Sequence, residues 1–331
     1  MAPSPGRDER ETMPAGERGR PAINGFLNLY KPVGITSMDA VRRVKRVTGQ
    51  RRKVGHAGTL DPLAEGVLPI CFGQATRLME LVVSGWKRYR MTIRLGAVSN
   101  TYDAEGDIDE IADPSSLSRG DIAASLVGFV GDIDQLPPMY SAVKVDGRRL
   151  YDLARAGREI ERTPRRVSVR SISIDDIRLP FVTFTVDCGR GTYLRSIAHD
   201  LGQSLGCGAY VTELARLSCG QFESNRGITP DDLEQAASSG DWSCHLLPID
   251  WALQQLPALR VNSERARAVG HGQTVPVAPA RTDPLDPRLW RIYGPDDVFL
   301  ALARPEPEDR LAPTRVFEIA EPSPYAPVAT P

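Results

Sequence analysis

The sequence predicts an α+β fold with a mixed or antiparallel sheet, followed by a small β-rich C-terminal module. Runs with the two-residue period of strands, such as KRYRMTIRL (87–95), stand beside runs with helical period, such as TYLRSIAHDLGQSLG (192–206). The two kinds are interspersed without the strict βαβ alternation of a parallel sheet. After about residue 255 the texture changes to RVNSERARAVGHGQTVPV and LWRIYGPDDVFLALAR, separated by the Pro-rich APARTDPLDP.

Taken in order, GFLNLYKP (25–32) reads as a short strand ended by proline. Ser37 can cap a helix in which Val41, Val44 and Val47 share one face, with Arg and Lys on the other. VLPICF (67–72) is a short apolar run typical of a buried strand. In 87–95, Tyr89, Met91, Ile93 and Leu95 alternate onto one side. LYDLARAG (150–157) looks like a helix stopped by glycine. RVSVRSISIDDIRL and FVTFTVDCGRG follow as sequential strands. The 192–206 helix then collects Leu194, Ile197, Leu201 and Leu205 on its apolar face.

Composition narrows the class. A hydrophobic content of 41% with 25% charged residues is that of a globular protein, and no apolar run approaches the ~18 residues of a membrane span. Residues 1–22 are charged and rich in Gly and Pro, lack the apolar core of a secretory signal, and read as a disordered leader; 321–331 reads as a disordered tail. Five cysteines without a CxxC pair argue against a zinc site or disulfide framework and fit a reducing, cytoplasmic setting.

The net charge of −1 gives no global sign of a nucleic-acid partner, but the charge is segregated. RRVKRVTGQRRK (42–53) carries seven cations and no acid, 148–170 is Arg-heavy, and the acids cluster in DAEGDIDEIAD (103–113). Such a distribution makes either a basic surface for RNA or DNA on a neutral protein or a set of solvated helix faces.

GHAGTLDPLAEGVLP (55–69) raises the chemical question. Asp61-Pro62 has a structural reading, Asp as N-cap and Pro at the first helical position of a short helix containing Glu65. It also has a chemical one, a carboxylate in a Gly-containing loop where backbone can approach a ligand. GRGTYLR (189–195) adds Tyr193 and Arg195 after a strand end, and KRYR (87–90) flanks Tyr89 with cations, which suits base stacking beside phosphate.

GHAGTLDPLAEGVLPICFGQATR (55–77) resembles the catalytic motif of the TruB family of bacterial tRNA pseudouridine-55 synthases. GFLNLYKPVGITSMDAV, KRYR, PPMYSAVKVDGRRLYDLAR, GTYLRSIAHDLG and CGAYVTELARL agree with that family in order, from about Gly25 to Phe222. The resemblance implies a pseudouridine-synthase fold, with a mixed, mostly antiparallel sheet flanked by helices and a PUA-like β-barrel module. It implies a catalytic domain at 23–255 with an RNA-gripping insertion near 125–166, and the PUA-like module at 256–320.

The implied activity is the isomerisation of uridine to pseudouridine in the tRNA T-loop. No cofactor or metal is expected, because uracil is itself a tolerable leaving group. The resemblance gives Asp61 the reacting carboxylate, either as nucleophile at C1′ or as base at the 2′ position. Arg195 resembles the arginine that pairs with that carboxylate, and Tyr193 the residue placed to remove the C5 proton. Tyr89 would stack on the target base, Leu214 would form an apolar pocket wall, and His56 would support flipped-out nucleotides. Lys31 and Pro32 resemble a motif that buttresses the active-site loop, and Lys31 is grouped with the substrate-site residues on that account. The implied partner is tRNA, with no membrane, no obligate protein partner and a monomeric state. Two other readings stay open, a relative that acts within a guide-RNA particle and a non-catalytic RNA-binding protein on the same scaffold.

Overall fold

The computed structural model describes residues 23–50, 52–141, 144–145, 148–149, 160–277 and 288–327. The leader 1–22, the helix expected at 150–157 and the last residues 328–331 lie outside the described residues.

The N-terminal region contains β1 (Gly25–Lys31), α1 (Ser37–Thr48), β2 (Val54–His56), β3 (Ala64–Phe72), α2 (Met79–Ser84), β4 (Lys87–Leu95) and α3 (Arg119–Leu126). It continues with β5 (Gly131–Gln135), β6 (Arg165–Arg178), β7 (Phe181–Cys188), α4 (Leu194–Ser204), β8 (Ala209–Cys219), β9 (Phe222–Glu223), α5 (Pro230–Ser239) and β10 (Leu246–Leu247). These strands form one sheet in the order β10-β1-β3-β8-β4-β7-β6-β5, with β9 on β8 and β2 on β3. The β3–β8 pair is parallel and the other pairs are antiparallel, so the sheet is mixed and mostly antiparallel.

Burial explains why the strands read differently. β3 is buried at every position but Glu65 because both of its faces are covered, whereas β4 alternates and leaves Arg88 and Arg90 to solvent. Leu27, Leu68 and Ile70 pack with α1 and α4 on one side; Phe26, Val67 and Cys71 face the other. Gly202 lets α4 lie close to β8, since a Cβ there would sit 2.1 Å from the Ala209 nitrogen. That approach fixes the height of α4, and of Arg195 at its start, above the sheet.

Two local expectations change. Thr36, not Ser37, caps α1: its hydroxyl accepts from the Asp39 N–H in a capping box. Ser37 is buried instead and braces Leu60, donating to its carbonyl (3.0 Å) and accepting from its N–H (2.8 Å). Asp61 caps no helix, because the segment after it is β3, and Glu65 belongs to that strand. Tertiary pairing with β1 and β8 overrides the helix-start signal of Asp-Pro.

The C-terminal region contributes β11 (Ala258–Arg260), α6 (Ser263–Gly270), β12 (Val275–Pro276), β13 (Trp290–Tyr293), β14 (Phe299–Glu306) and β15 (Arg310–Val316). Its sheet runs β11-β13-β14-β15-β12 and is PUA-like. The expected boundary near 255 does not separate two cores. Tyr293, Phe299, Leu302 and Phe317 share one apolar cluster with Phe26, Cys71, Leu78 and Phe222 of the N-terminal region. A buried polar knot reinforces the seam: Tyr293 Oη donates to Asp250 (2.6 Å), Arg291 donates to Tyr293 Oη (2.9 Å), and Ser323 donates to Asp250 (2.5 Å).

Residues 321–327 are therefore packed, contrary to the disordered tail expected from 321. The carbonyls of Tyr325 and Pro327 accept from Arg291 and Arg260, and Pro322 bridges to Val298. Proline-rich composition hid this, because it marks extended backbone whether or not something holds it.

Candidate active site

The segment between β2 and β3 is a loop, and the peptide groups of Gly58, Leu60 and Pro62 on either side of Asp61 are held from outside. Lys31 lies fully buried beneath it and donates to the carbonyls of Pro32 and Ile35, both at 2.8 Å, and more distantly to Pro62 at 3.5 Å. Ser37 holds Leu60 as described. Arg216, only 1% exposed, donates to the carbonyls of Gly58 (3.0 Å) and Val67 (2.6 Å). Gly66 adopts φ +100° where a Cβ would stand 2.3 Å from the Arg216 carbonyl oxygen, so β3 and β8 can close only around a glycine. Asp61 thus sits on a braced loop, with its side chain free of local capping bonds.

Arg195 meets it from the first turn of α4. One guanidinium nitrogen donates to Asp61 at 2.9 Å and to the Tyr140 carbonyl at 2.8 Å. The other donates to Asp103 at 2.9 Å and to the Thr101 carbonyl at 3.1 Å. Asp103 is itself buried, and accepts from the Thr101 hydroxyl (2.6 Å) and the Glu105 N–H (3.1 Å). Arg195 is therefore aimed by a carboxylate behind it and presents one fork to the carboxylate in front. The start of α4 is fixed by Gln135, whose side-chain amide donates to the Tyr193 carbonyl and accepts from the Tyr193 N–H.

Asp61, Tyr89, Tyr193, Arg195 and Leu214 line one cavity of about 390 Å³, together with Lys87, Arg190 and Thr192. A larger depression of about 540 Å³ lies elsewhere, between Arg94 and Pro180, and contains no comparable cluster of reactive groups. Chemistry, not size, marks the site. The Asp61 side chain keeps 39% of its surface open to the cavity, although protein surrounds it closely. That enclosure pushes its carboxyl above the ordinary value, opposed by Arg195 and Lys31 and reinforced by Asp103. Burial also raises the phenols, Tyr89 to about 12 and Tyr193 above its usual value. Both tyrosines are protonated at neutral pH.

The cavity thus gathers five of the seven expected site residues. Lys31 does not reach it: the ammonium lies under the loop, so its grouping with substrate-touching residues is corrected to the buttress. Burial lowers its pKa to about 8. His56, on β2, does not line the cavity either; it is half-buried, with Nδ1 unpartnered and its pKa lowered by burial and Arg216. Sequence reasoning missed Asp103, Gln135 and Arg216. Asp103 was hidden in an acidic stretch read only as compensating charge, and nothing local distinguishes a carboxylate bound for a buried arginine. Among the described residues no group of three or more His, Cys, Asp or Glu side chains could hold a metal ion, and all the described cysteines are free.

Comparison with known families agrees with this geometry. Residues 45–194 match the TruB family pseudouridylate synthase N-terminal domain, 195–254 the tRNA pseudouridylate synthase B C-terminal domain, and 257–317 the pseudouridine synthase II TruB C-terminal region. The chain belongs to the TruB family. Over 305 residues it is 42% identical to the tRNA pseudouridine synthase B of Burkholderia mallei (strain ATCC 23344), covering 92% of this chain and 97% of that protein. It is 41% identical over 280 residues to the tRNA pseudouridine synthase B of Clostridium acetobutylicum, covering 85% and 95%. Among solved structures it resembles a chain of a Cbf5-Nop10-Gar1 complex, with a TM-score of 0.67 and 27% identity over 92% of this chain and 87% of that one. An H/ACA RNP bound to a substrate RNA containing 2′-deoxyuridine gives a TM-score of 0.66 and 25% identity, with the same coverages.

Proposed function

We propose that this TruB-family enzyme isomerises uridine 55 in the T-loop of tRNA to pseudouridine, as a cytoplasmic monomer that needs no protein partner. The observation that carries the reading is the pairing of Asp61 with a pre-aimed Arg195 in a cavity floored by Tyr89. A target uridine stacked inside a folded loop must be flipped out to reach Asp61, at a few kcal/mol of unstacking. Stacking on Tyr89, worth roughly 1–3 kcal/mol, offsets that.

In the bound state Asp61 either attacks C1′ or removes the 2′ proton, and the C1′–N1 bond breaks with the electron pair leaving on uracil. The base turns and C5 bonds to C1′, either displacing the Asp61 carboxylate from C1′ or with Asp61 returning the proton to C2′; the C5 proton then leaves and N1 gains a proton, so the product is an isomer of the substrate. Arg195 keeps Asp61 ionised and pointed at the sugar. Tyr193, held as a phenol, takes the C5 proton only by passing its own to solvent, and so serves as a relay. Leu214 and the aliphatic wall exclude water. Charge on the Arg-rich 148–166 segment and the C-terminal module would grip the rest of the tRNA.

The test is incubation of the purified chain alone with an unmodified tRNA transcript, followed by mapping of pseudouridine. Modification confined to position 55 is expected. No product without added protein or guide RNA would favour a particle-dependent enzyme.

A further inference from the structure

The loop that presents Asp103 contains a feature that its hydrogen bonds do not explain. Tyr102, between the two residues Arg195 contacts, adopts φ +66°, a left-handed conformation that non-glycine residues rarely take. Its ring lies flat on the His199 imidazole, with centroids 3.9 Å apart and planes 12° from parallel. His199 is four residues beyond Arg195 on α4, hence on the same helix face one turn along. The helix therefore grips three consecutive residues: Arg195 holds the Thr101 carbonyl and the Asp103 carboxylate, and His199 covers the ring between them.

We propose that Tyr102 and His199 form an aromatic latch that positions Arg195 on Asp61, making both of them positioning residues for the isomerisation. The backbone of Tyr102 is pinned to β8, where its carbonyl accepts from the Val211 N–H, and to its own loop, where its N–H donates to the Ser99 carbonyl. Main-chain bonds fix the loop's root, and the stack decides how the loop meets α4. Neither ring lines the cavity, so the latch acts through Arg195 and not by touching RNA. A glycine would hold this backbone more easily; a tyrosine there is explained by what its ring does. The inference rests on the proposed role of Asp61, and its test separates the two.

Four variants decide it: Tyr102→Phe and His199→Phe keep a stacking ring, whereas Tyr102→Gly and His199→Ala remove one. Tyr102→Gly keeps the left-handed backbone unstrained, so loss of fold is not expected, and the His199 pair repeats the test if it occurs. The ring-removing variants should lose about tenfold or more in kcat with KM for tRNA within about twofold, because a misaimed group costs rate more than binding. The two phenylalanine variants should stay within about threefold of the parent.

Asp61 ionisation, followed by carboxyl carbon-13 NMR in the RNA-free protein, is the independent readout. Asp61 is faced by Arg195, Lys31 and Asp103, and Asp103 with Glu105 sits on the latched loop. Loosening Arg195 should move the Asp61 titration upward in the ring-removing variants alone. If wild type makes no pseudouridine but the titration still shifts, the functional reading fails and the latch stands. An unshifted titration and unchanged kcat, with only a lower melting temperature, would overturn the latch and leave plain packing.

Discussion

Two arginines in this chain are each held by two carboxylates from distant parts of the sequence. Arg195 lies between Asp61 and Asp103, with its side chain 6% exposed and that of Asp103 2% exposed. Arg43, on α1, lies between Asp231 and Glu234 of α5, with 28% of its side chain exposed and Asp231 largely in water. On its Asp103 side the first arrangement is stiff and nearly dry, so losing that partner leaves a buried charge uncompensated. The second is screened, and water replaces any partner that is lost. The pairing is alike; burial makes one a device for aiming charge and the other a modest staple between helices.

The largest effect that would sharpen this contrast is at the proposed reacting carboxylate. Asp61→Asn should reduce turnover by at least about 10³-fold while tRNA affinity stays near that of the parent, measured by pseudouridine mapping and filter binding. Its stability should move the other way. Enclosure raises the folded-state pKa of Asp61, so this group's contribution is fullest below the unfolded value of about 4 and is lost as pH rises through the folded one. At pH 7 the Asn variant should therefore melt no lower than the parent, with the difference fading on acidification. A clearly lower melting temperature would mean that the ion pair with Arg195 outweighs the burial.

Next in size is Asp103→Asn, which leaves Arg195 buried with one charged partner. We expect a loss of about 10²-fold in kcat with little change in KM, and destabilisation of about 3–5 kcal/mol in denaturant melts. A variant as active as the parent would show that the remaining contacts of Arg195 suffice to aim it.

A smaller but diagnostic effect is the pH profile. Because the proposed reaction needs Asp61 ionised and its pKa lies above the ordinary carboxylate value, kcat should rise with pH through a midpoint above about 4. Asn substitution at Asp61 removes that limb from any residual activity. A midpoint at or below the ordinary value would show Arg195 dominating the site.

The smallest effects belong to the surface cluster. On α1, Arg42 pairs with Asp39, and Arg43 and Arg46 pair with Glu234. Asp39 on the same helix and Asp231 and Glu234 from α5 thereby neutralise much of the charge that would otherwise suit an RNA-facing surface. Arg43→Ala should change turnover by less than about twofold, and its effect on melting should vanish at high salt. Charge reversal at Arg42 and Arg46 should alter the salt dependence of tRNA binding by well under the one log–log unit expected per phosphate contact. A full unit per residue would return α1 to the RNA interface.

Reading from residues to structure succeeded where one local pattern answers to one environment. The alternation in β4, the apolar face of α4 and the two-sided burial of β3 each leave a periodicity that the sequence carries openly. It failed where two environments share a pattern. Asp-Pro reads as a helix start until β1 and β8 claim the following residues as a strand. The break near 255 reads as a boundary between cores, yet Phe26 and Phe222 meet Tyr293 and Phe299 across it.

The candidate site divides the same way. Asp61, Tyr89, Tyr193, Arg195 and Leu214 were named from sequence because their flanking motifs resemble those of a known family. The partners that make them work were not, because Asp103, Gln135, Arg216 and the Tyr102–His199 stack have no local signature.

By itself the sequence determined the fold class, the faces that β4 and α4 bury and the identity of the groups fit for chemistry. Those properties follow from period, side-chain size and charge, which each residue carries wherever it goes. Only the tertiary structure decided which carboxylate Arg195 meets, which arginines are neutralised before RNA arrives, and how far Asp61 is enclosed. Those depend on distance and dielectric between residues remote in the chain, and both come into being only when the chain closes.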